Sequence, residues 1–180
     1  MLAVHLRGAF YVTQPAWVHM REQSYGRIVV TSSSAGIFGN FGQANYGAAK
    51  MGLVGFANVL AEEGERYNIK VNAIAPTAGT RMTAEIFGEE LSEKLAPEWV
   101  APLVAWLVHE DCPVTGNIYS VGGGHIARVF IGEGPGYTKT DAPLTVEDVR
   151  DNFETIERTD DYVIVRNSTE EVALLAKLLG

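Results

Sequence analysis

The stretch Gly26–Phe56, "GRIVVTSSSAGIFGNFGQANYGAAKMGLVGF", decides the fold. Ile28, Val29 and Val30 form a continuous apolar run, as expected of a strand buried on both faces of a helix-covered parallel sheet. The glycine-rich segment after it, up to Asn45, reads as a loop. From Tyr46 to about Arg66 the apolar residues Met51, Leu53, Val54, Phe56, Ala57, Val59 and Leu60 surround a helix almost completely. Such a helix is buried on more than one side.

The same logic extends outward. Met1 to Gln23 reads as a helix adjusted near Pro15, with Val4, Phe10, Tyr11, Ala16 and Trp17 on a broad apolar face. Downstream, "IKVNAIAP" (69–76) is a second strand, Thr77 to Leu95 a loop with a short helix, Glu98 to His109 a helix, and "NIYSVGGG" (117–124) a third strand. Strand–helix–strand–helix–strand is the order of a parallel α/β unit with right-handed crossovers. Past Gly124 the character changes. "GEGPGYTKTDAP" reads as a flexible loop, and "LTVEDVRDNFETI" as a helix with Thr145 as N-cap and Asp148 closing a capping box. "DYVIVRNS" reads as an edge strand or extended arm, and "TEEVALLAKLLG" as a terminal helix.

Composition sets bounds. The chain has 180 residues, 47% hydrophobic and 20% charged, in the range of a folded globular protein. The net charge of −8 is concentrated toward the end, where residues 125–180 contribute −5. An acidic chain without a basic stripe argues against nucleic acid and anionic membranes as partners. The single cysteine, Cys112, precludes an internal disulfide and suits a reducing compartment, with the cytoplasm as the expectation. No apolar run is long enough for a membrane span, and "MLAVHLRGAF" lacks the pattern of a signal peptide. His19, His109, His125 and Cys112 show no metal-ligand spacing, so no metal site is expected.

Tyr46 and Lys50 stand four residues apart on the central helix and therefore share a face. A lysine beside a phenol favours the phenolate and lowers a pKa that is ordinarily about 10, so the tyrosine could exchange a proton with a substrate hydroxyl. Random placement yields such a pair in about one chain in five of this composition, so the pair alone decides little. Its setting adds weight. Ser33 lies thirteen residues upstream at the carboxyl end of the first strand, and Pro76 ends the second. In open parallel sheets ligands bind beyond these ends. The glycines Gly36, Gly39 and Gly42 lack G-x-G-x-x-G spacing and read as loop-shaping. Trp17, Trp99 and Trp106 read as core or interface residues.

These motifs, with "VHLRGAF", "IKVNAIAP", "APTAGTRMT" and "PEWVAPLVAWL", resemble the second half of a short-chain dehydrogenase/reductase. They are most similar to the (3R)-hydroxyacyl-CoA dehydrogenase region of peroxisomal multifunctional enzymes and bacterial relatives. The resemblance covers residues 1 to about 128, and the "LTVEDVRDNFETI" segment is similar to that subfamily's tail. It implies the C-terminal part of a Rossmann-like doubly wound parallel sheet, about three strands with flanking helices, plus a C-terminal appendage. The division would be a catalytic half at 1–126 and an acidic extension at 127–180. Tyr46 would be the general acid/base, Lys50 would lower its pKa and hold the nicotinamide ribose, and Ser33 would hold the substrate oxygen. Pro76, Ala78, Gly79, Thr80 and Arg81 would border the cofactor, NAD or NADP with NAD favoured.

Where most members have an asparagine in a water-linked proton relay, this chain has His5, as the multifunctional-enzyme branch does. His5 joins the candidate catalytic group, with a packing role equally open. The substrate would be a 3-hydroxyacyl/3-oxoacyl thioester or similar secondary alcohol or ketone. The partner would be a second copy, through the 1–23 and 46–66 helices. The family's glycine-rich pyrophosphate turn and ribose-binding acid have no counterpart in these residues. A catalytically silent fragment acting at most in association therefore stands as the alternative. A sugar-epimerase-like member, which shares the Tyr/Lys spacing, fits less well for want of a substantial second domain.

Overall fold

The computed structural model describes residues 1–81 and 83–180, with the side chains of Ala84 and Ile86 not described. The chain folds as two compact units, Met1–Val129 and Phe130–Gly180.

The first unit is a four-stranded sheet in the order β1-β2-β3-β4, formed by Gly26–Thr31, Ile69–Pro76, Ile118–Gly122 and His125–Val129. β1, β2 and β3 are parallel, and β4 returns antiparallel to β3. Only three strands were expected. The fourth arises because Gly122 pairs with His125 across a two-residue turn, with Gly123 at φ 56° and Gly124 at φ 79°. Positive φ at both central positions is the geometry that follows a sheet's twist, and glycine adopts it without strain.

The near-continuous apolar strands are explained by helices on both faces. On one face α3 (Ala44–Gly64) packs Leu53, Val54, Ala57 and Leu60 against Val30, Ile69, Val71 and Ala73. On the other, α5 (Ala101–Leu107) packs Leu103 and Leu107 against Ile74 and Val121. Alternate residues of each strand thus face opposite cores, as the period of two requires. Asn72, on β2 and fully buried, donates to the Val114 carbonyl and accepts from the Asn117 N–H, pinning the turn that leads into β3.

The opening helix differs from expectation in where it is irregular. Pro15 lies inside a continuous α1 (Gly8–Glu22), and the adjustment falls earlier, as a π-turn over Ala3–Arg7. Leu6 of that turn packs on α3 at Gly52, where a Cβ would come within 3.1 Å of it. The loop after β1 also contains a turn of helix, α2 (Ser34–Ile37). The Thr77–Leu95 segment contains α4 (Ala84–Lys94), broken at Gly88, and α5 is preceded by a 3₁₀ turn at Pro97–Trp99, which makes it shorter than expected.

The second unit contains α6 (Val146–Asp151), α7 (Phe153–Ile156) and α8 (Ser168–Leu179). Among the described residues the "DYVIVRNS" arm makes one bridge, Val163 to Glu133. The Thr145/Asp148 capping box is present in both directions.

Candidate functional site

The carboxyl ends of the three parallel strands, at Thr31, Pro76 and Gly122, lie along one edge of the sheet. Ser33 follows β1 directly as the N-cap of α2, where its Oγ accepts from the Ala35 N–H at 3.2 Å. That bond uses an acceptor lone pair and leaves the hydroxyl proton to donate. α2 lies directly on α3. A Cβ on Gly36 would come within 2.8 Å of the Lys50 Cβ, and one on Gly47 within 3.1 Å of the Ala35 carbonyl. Only glycine at Gly36 permits this approach, and it brings the Ser33 turn onto the first turns of the Tyr46 helix.

Lys50 is 7% exposed, and its Nζ donates to the Thr31 carbonyl at 2.7 Å, at the end of β1. Burial holds its pKa below the ordinary lysine value. The ammonium lies 5.6 Å from the centroid of the Tyr46 ring. The His5 ring stands perpendicular to that of Tyr46 with centroids 5.6 Å apart. Tyr46, Lys50 and His5 are thus brought together from two separate helices. Ser32, which the sequence did not distinguish within its run of three serines, is buried and donates from Oγ to the Lys50 carbonyl at 2.8 Å. It ties the lysine's backbone to the end of β1. The alternation of the strand offered a signal, since Ser32 falls on the same side as Val30.

The segment Pro76–Arg81 leaves β2 at the same edge. The Thr77 N–H donates to Val121, and the Gly79 N–H donates to Leu95. A side chain at Gly79 would collide with the Ser92 carbonyl. Thr83 fastens the turn, accepting from the Thr80 N–H and donating to the Ala78 carbonyl, each at 2.8 Å. Arg81 is exposed. Along the free edge of β1 runs an open groove of about 470 Å³, lined by α1 residues and by His5, Thr31 and Lys50. A buried ammonium and a strand-end loop at one sheet edge fit the ribose and nicotinamide end of a dinucleotide. Among the described residues no glycine-rich turn of G-x-G-x-x-G spacing is present for the pyrophosphate.

Known proteins resemble this chain. The family model described as "short chain dehydrogenase" matches residues 1–91. The mouse "Peroxisomal multifunctional enzyme type 2" is 54% identical over 155 residues, covering 85% of this chain and 21% of that protein. "Acetoacetyl-CoA reductase" of Acinetobacter is 43% identical over 135 residues, covering 69% of this chain and 54% of that one. The solved structure of full-length peroxisomal multifunctional enzyme type 2 from Drosophila melanogaster superposes with a TM-score of 0.88 at 39% identity, covering 98% of this chain and 32% of that one. The chain therefore spans about a fifth to about a half of the curated relatives it matches. With the sheet, the paired Tyr46 and Lys50, and these matches agreeing, the chain belongs to the short-chain dehydrogenase family.

Proposed function

We propose that this chain carries the catalytic half of an NAD(P)-dependent oxidoreductase, within residues 1–126, and that 127–180 is an acidic extension. The reaction is hydride transfer between NAD(P), with NAD favoured, and a 3-hydroxyacyl/3-oxoacyl thioester or similar secondary alcohol or ketone. One observation carries the reading: Lys50, buried and anchored to the end of β1, lies against the ring of Tyr46 one helical turn away. The name of the Acinetobacter relative supports the thioester.

In this reading Tyr46 takes the proton of the substrate hydroxyl, or returns it to the carbonyl oxygen in the reverse direction. Lys50 meets the cofactor ribose. Ser33 donates to the substrate oxygen as it changes between hydroxyl and carbonyl. Pro76, Ala78, Gly79, Thr80 and Arg81 border the nicotinamide side. The cofactor, when bound, supplies the hydride acceptor or donor. A second copy of the chain joins through the 1–23 and 46–66 helices, whose exposed Val4, Phe10, Tyr11, Val12 and Val59 support that surface. Buried, unpaired Cys112 suits a reducing compartment such as the cytoplasm.

In the natural polypeptide containing residues 1–180, Tyr46→Phe should lower turnover by about 10²-fold or more while cofactor still binds. Unchanged turnover would sink the proposal. The lack of a glycine-rich pyrophosphate turn in these residues favours, for residues 1–180 alone, the silent-fragment reading. Titration calorimetry with NAD decides between them, because micromolar binding to residues 1–180 excludes the second.

A further inference from the structure

We propose that Ser32 is a positioning residue for the reaction, its buried hydroxyl fixing the turn of α3 that carries Tyr46 and Lys50 against the strand end that carries Ser33. The inference rests on the oxidoreductase reading above. It is carried by the way β1 ends. Ser32 is 2% exposed, and its Oγ donates to the Lys50 carbonyl at 2.8 Å. The carbonyl of the residue before it, Thr31, accepts from the Lys50 ammonium at 2.7 Å. Two consecutive residues of one strand thus hold the same lysine at both ends, backbone and charge. A third contact completes the clamp. The Lys50 Cβ packs so closely on α2 that a Cβ on Gly36 would come within 2.8 Å of it.

The clamp stands on the sheet. The Ser32 N–H donates to the Ile74 carbonyl at 2.7 Å, which carries the β1–β2 ladder one residue past its last pair, Thr31 with Ile74. The hydroxyl is therefore placed by strand pairing. On the helix side, Ala49 and Leu53 are buried around Lys50, so this part of α3 is itself held by the core. A backbone carbonyl has two lone pairs, and accepting from Ser32 costs the helix no bond of its own. The three serines of the run have separate fates. Ser32 holds the helix, Ser33 accepts from the Ala35 N–H and keeps its proton for a substrate, and Ser34 is exposed.

The reaction needs that hold because two elements must meet on one substrate oxygen. Ser33 comes directly after β1 and Tyr46 from the start of α3, thirteen residues later. Their spacing is therefore set by contacts between strand and helix. A displacement of about 1 Å in such a group costs about 10²-fold in rate. Ser32 adjoins Ser33 in the chain and bonds to the residue one helical turn after Tyr46, so it resists slippage of α3 close to both groups. The same bond keeps the lysine in place. Burial holds the Lys50 pKa below the ordinary lysine value, and a loosened clamp would let its ammonium reach water.

Two measurements test the assignment. In the natural polypeptide, Ser32→Ala should lower kcat about tenfold or more while KM for the acyl thioester stays near the parent's. Ser32→Cys, which fills the space but donates weakly, should be as slow, and Ser34→Ala should match the parent. A Ser32 variant as fast as the parent, a loss confined to KM, or an equal loss in Ser34→Ala overturns the proposal. If Tyr46→Phe is inactive while Ser32→Ala is unaffected, only this inference fails. If Tyr46→Phe is active, the reading beneath it fails as well. The second measurement needs no turnover. A carbon-13 NMR titration of lysine-labelled residues 1–180 should find Lys50 below 10.5, moving upward in Ser32→Ala and Ser32→Cys. A Lys50 titration that neither variant moves also overturns the proposal.

Discussion

The units Met1–Val129 and Phe130–Gly180 are held together by different physics. In the first, Val54, Val71 and Leu107 are at most 1% exposed between a sheet and helices on both its faces. In the second, every described residue is half-buried or exposed, including Leu144, Val146, Phe153, Val172 and Leu175. Its order comes from local devices instead. Asp148 closes the cap of α6 and binds Lys139 at 2.8 Å, Arg158 pairs with Asp160, Asn167 caps α8, and Phe130 stacks on Tyr162. Burial stabilises the first unit in proportion to the apolar area removed from water. Caps and ion pairs contribute about 1 kcal/mol or less apiece, so the second unit should be the less stable.

The largest expected effect tests that contrast directly. Leu107→Ala leaves a cavity in a packed core and should cost about 2–5 kcal/mol by urea titration, whereas Leu175→Ala on α8 should change stability by less than about 0.5 kcal/mol. Equal losses would mean that the second unit has a core after all. Next in size, Thr145→Ala removes the acceptor for the Asp148 N–H and should cost about 1 kcal/mol, read as faster amide exchange confined to Val146–Asp151.

Acid should separate the units further. Lys139, then the Thr145 N–H and hydroxyl, hold Asp148 at about 2, below the usual 3.8. A depressed carboxyl contributes stability that is present above 3.8 and is lost as pH falls toward 2. Order in Phe130–Gly180 should therefore fade in that window, and Asp148→Asn should weaken the dependence, the rest of which comes from Asp160, held low by Arg158. The smallest effect sharpens the comparison from the other side, since Lys50 is a charge inside the first unit. Its pKa is lowered by burial, so the protonated form destabilises the fold below that pKa, and the penalty is relieved as pH rises toward 10.5. Lys50→Met should thus abolish turnover without lowering stability, and its advantage over the parent should shrink at alkaline pH.

Much of this architecture was legible residue by residue. "IKVNAIAP" is β2 from end to end, and the Thr145/Asp148 box is formed as its spacing implied. β4 was missed although its signal was present: two glycines between strands mark a two-residue hairpin, and "NIYSVGGG" was read only as a third strand. Pro15 misled because a proline ordinarily disturbs a helix interior, whereas the turn that differs here is set by packing of Leu6 on Gly52. Ser32 and Asn72 could not be separated from their neighbours, since their roles depend on carbonyls 18 and 42 residues away.

The sequence by itself determined which segments pair as parallel strands and that Tyr46 and Lys50 share a helix face. Hydrophobic period and helical spacing are local properties of the chain. Only the tertiary structure decided that Lys50 is buried against the Thr31 carbonyl, that Gly36 admits the Ser33 turn onto it, and that His5 stands beside Tyr46. Those relations join residues distant in the chain, and they depend on close approaches set by the packing of α1, α2 and α3 around the end of β1.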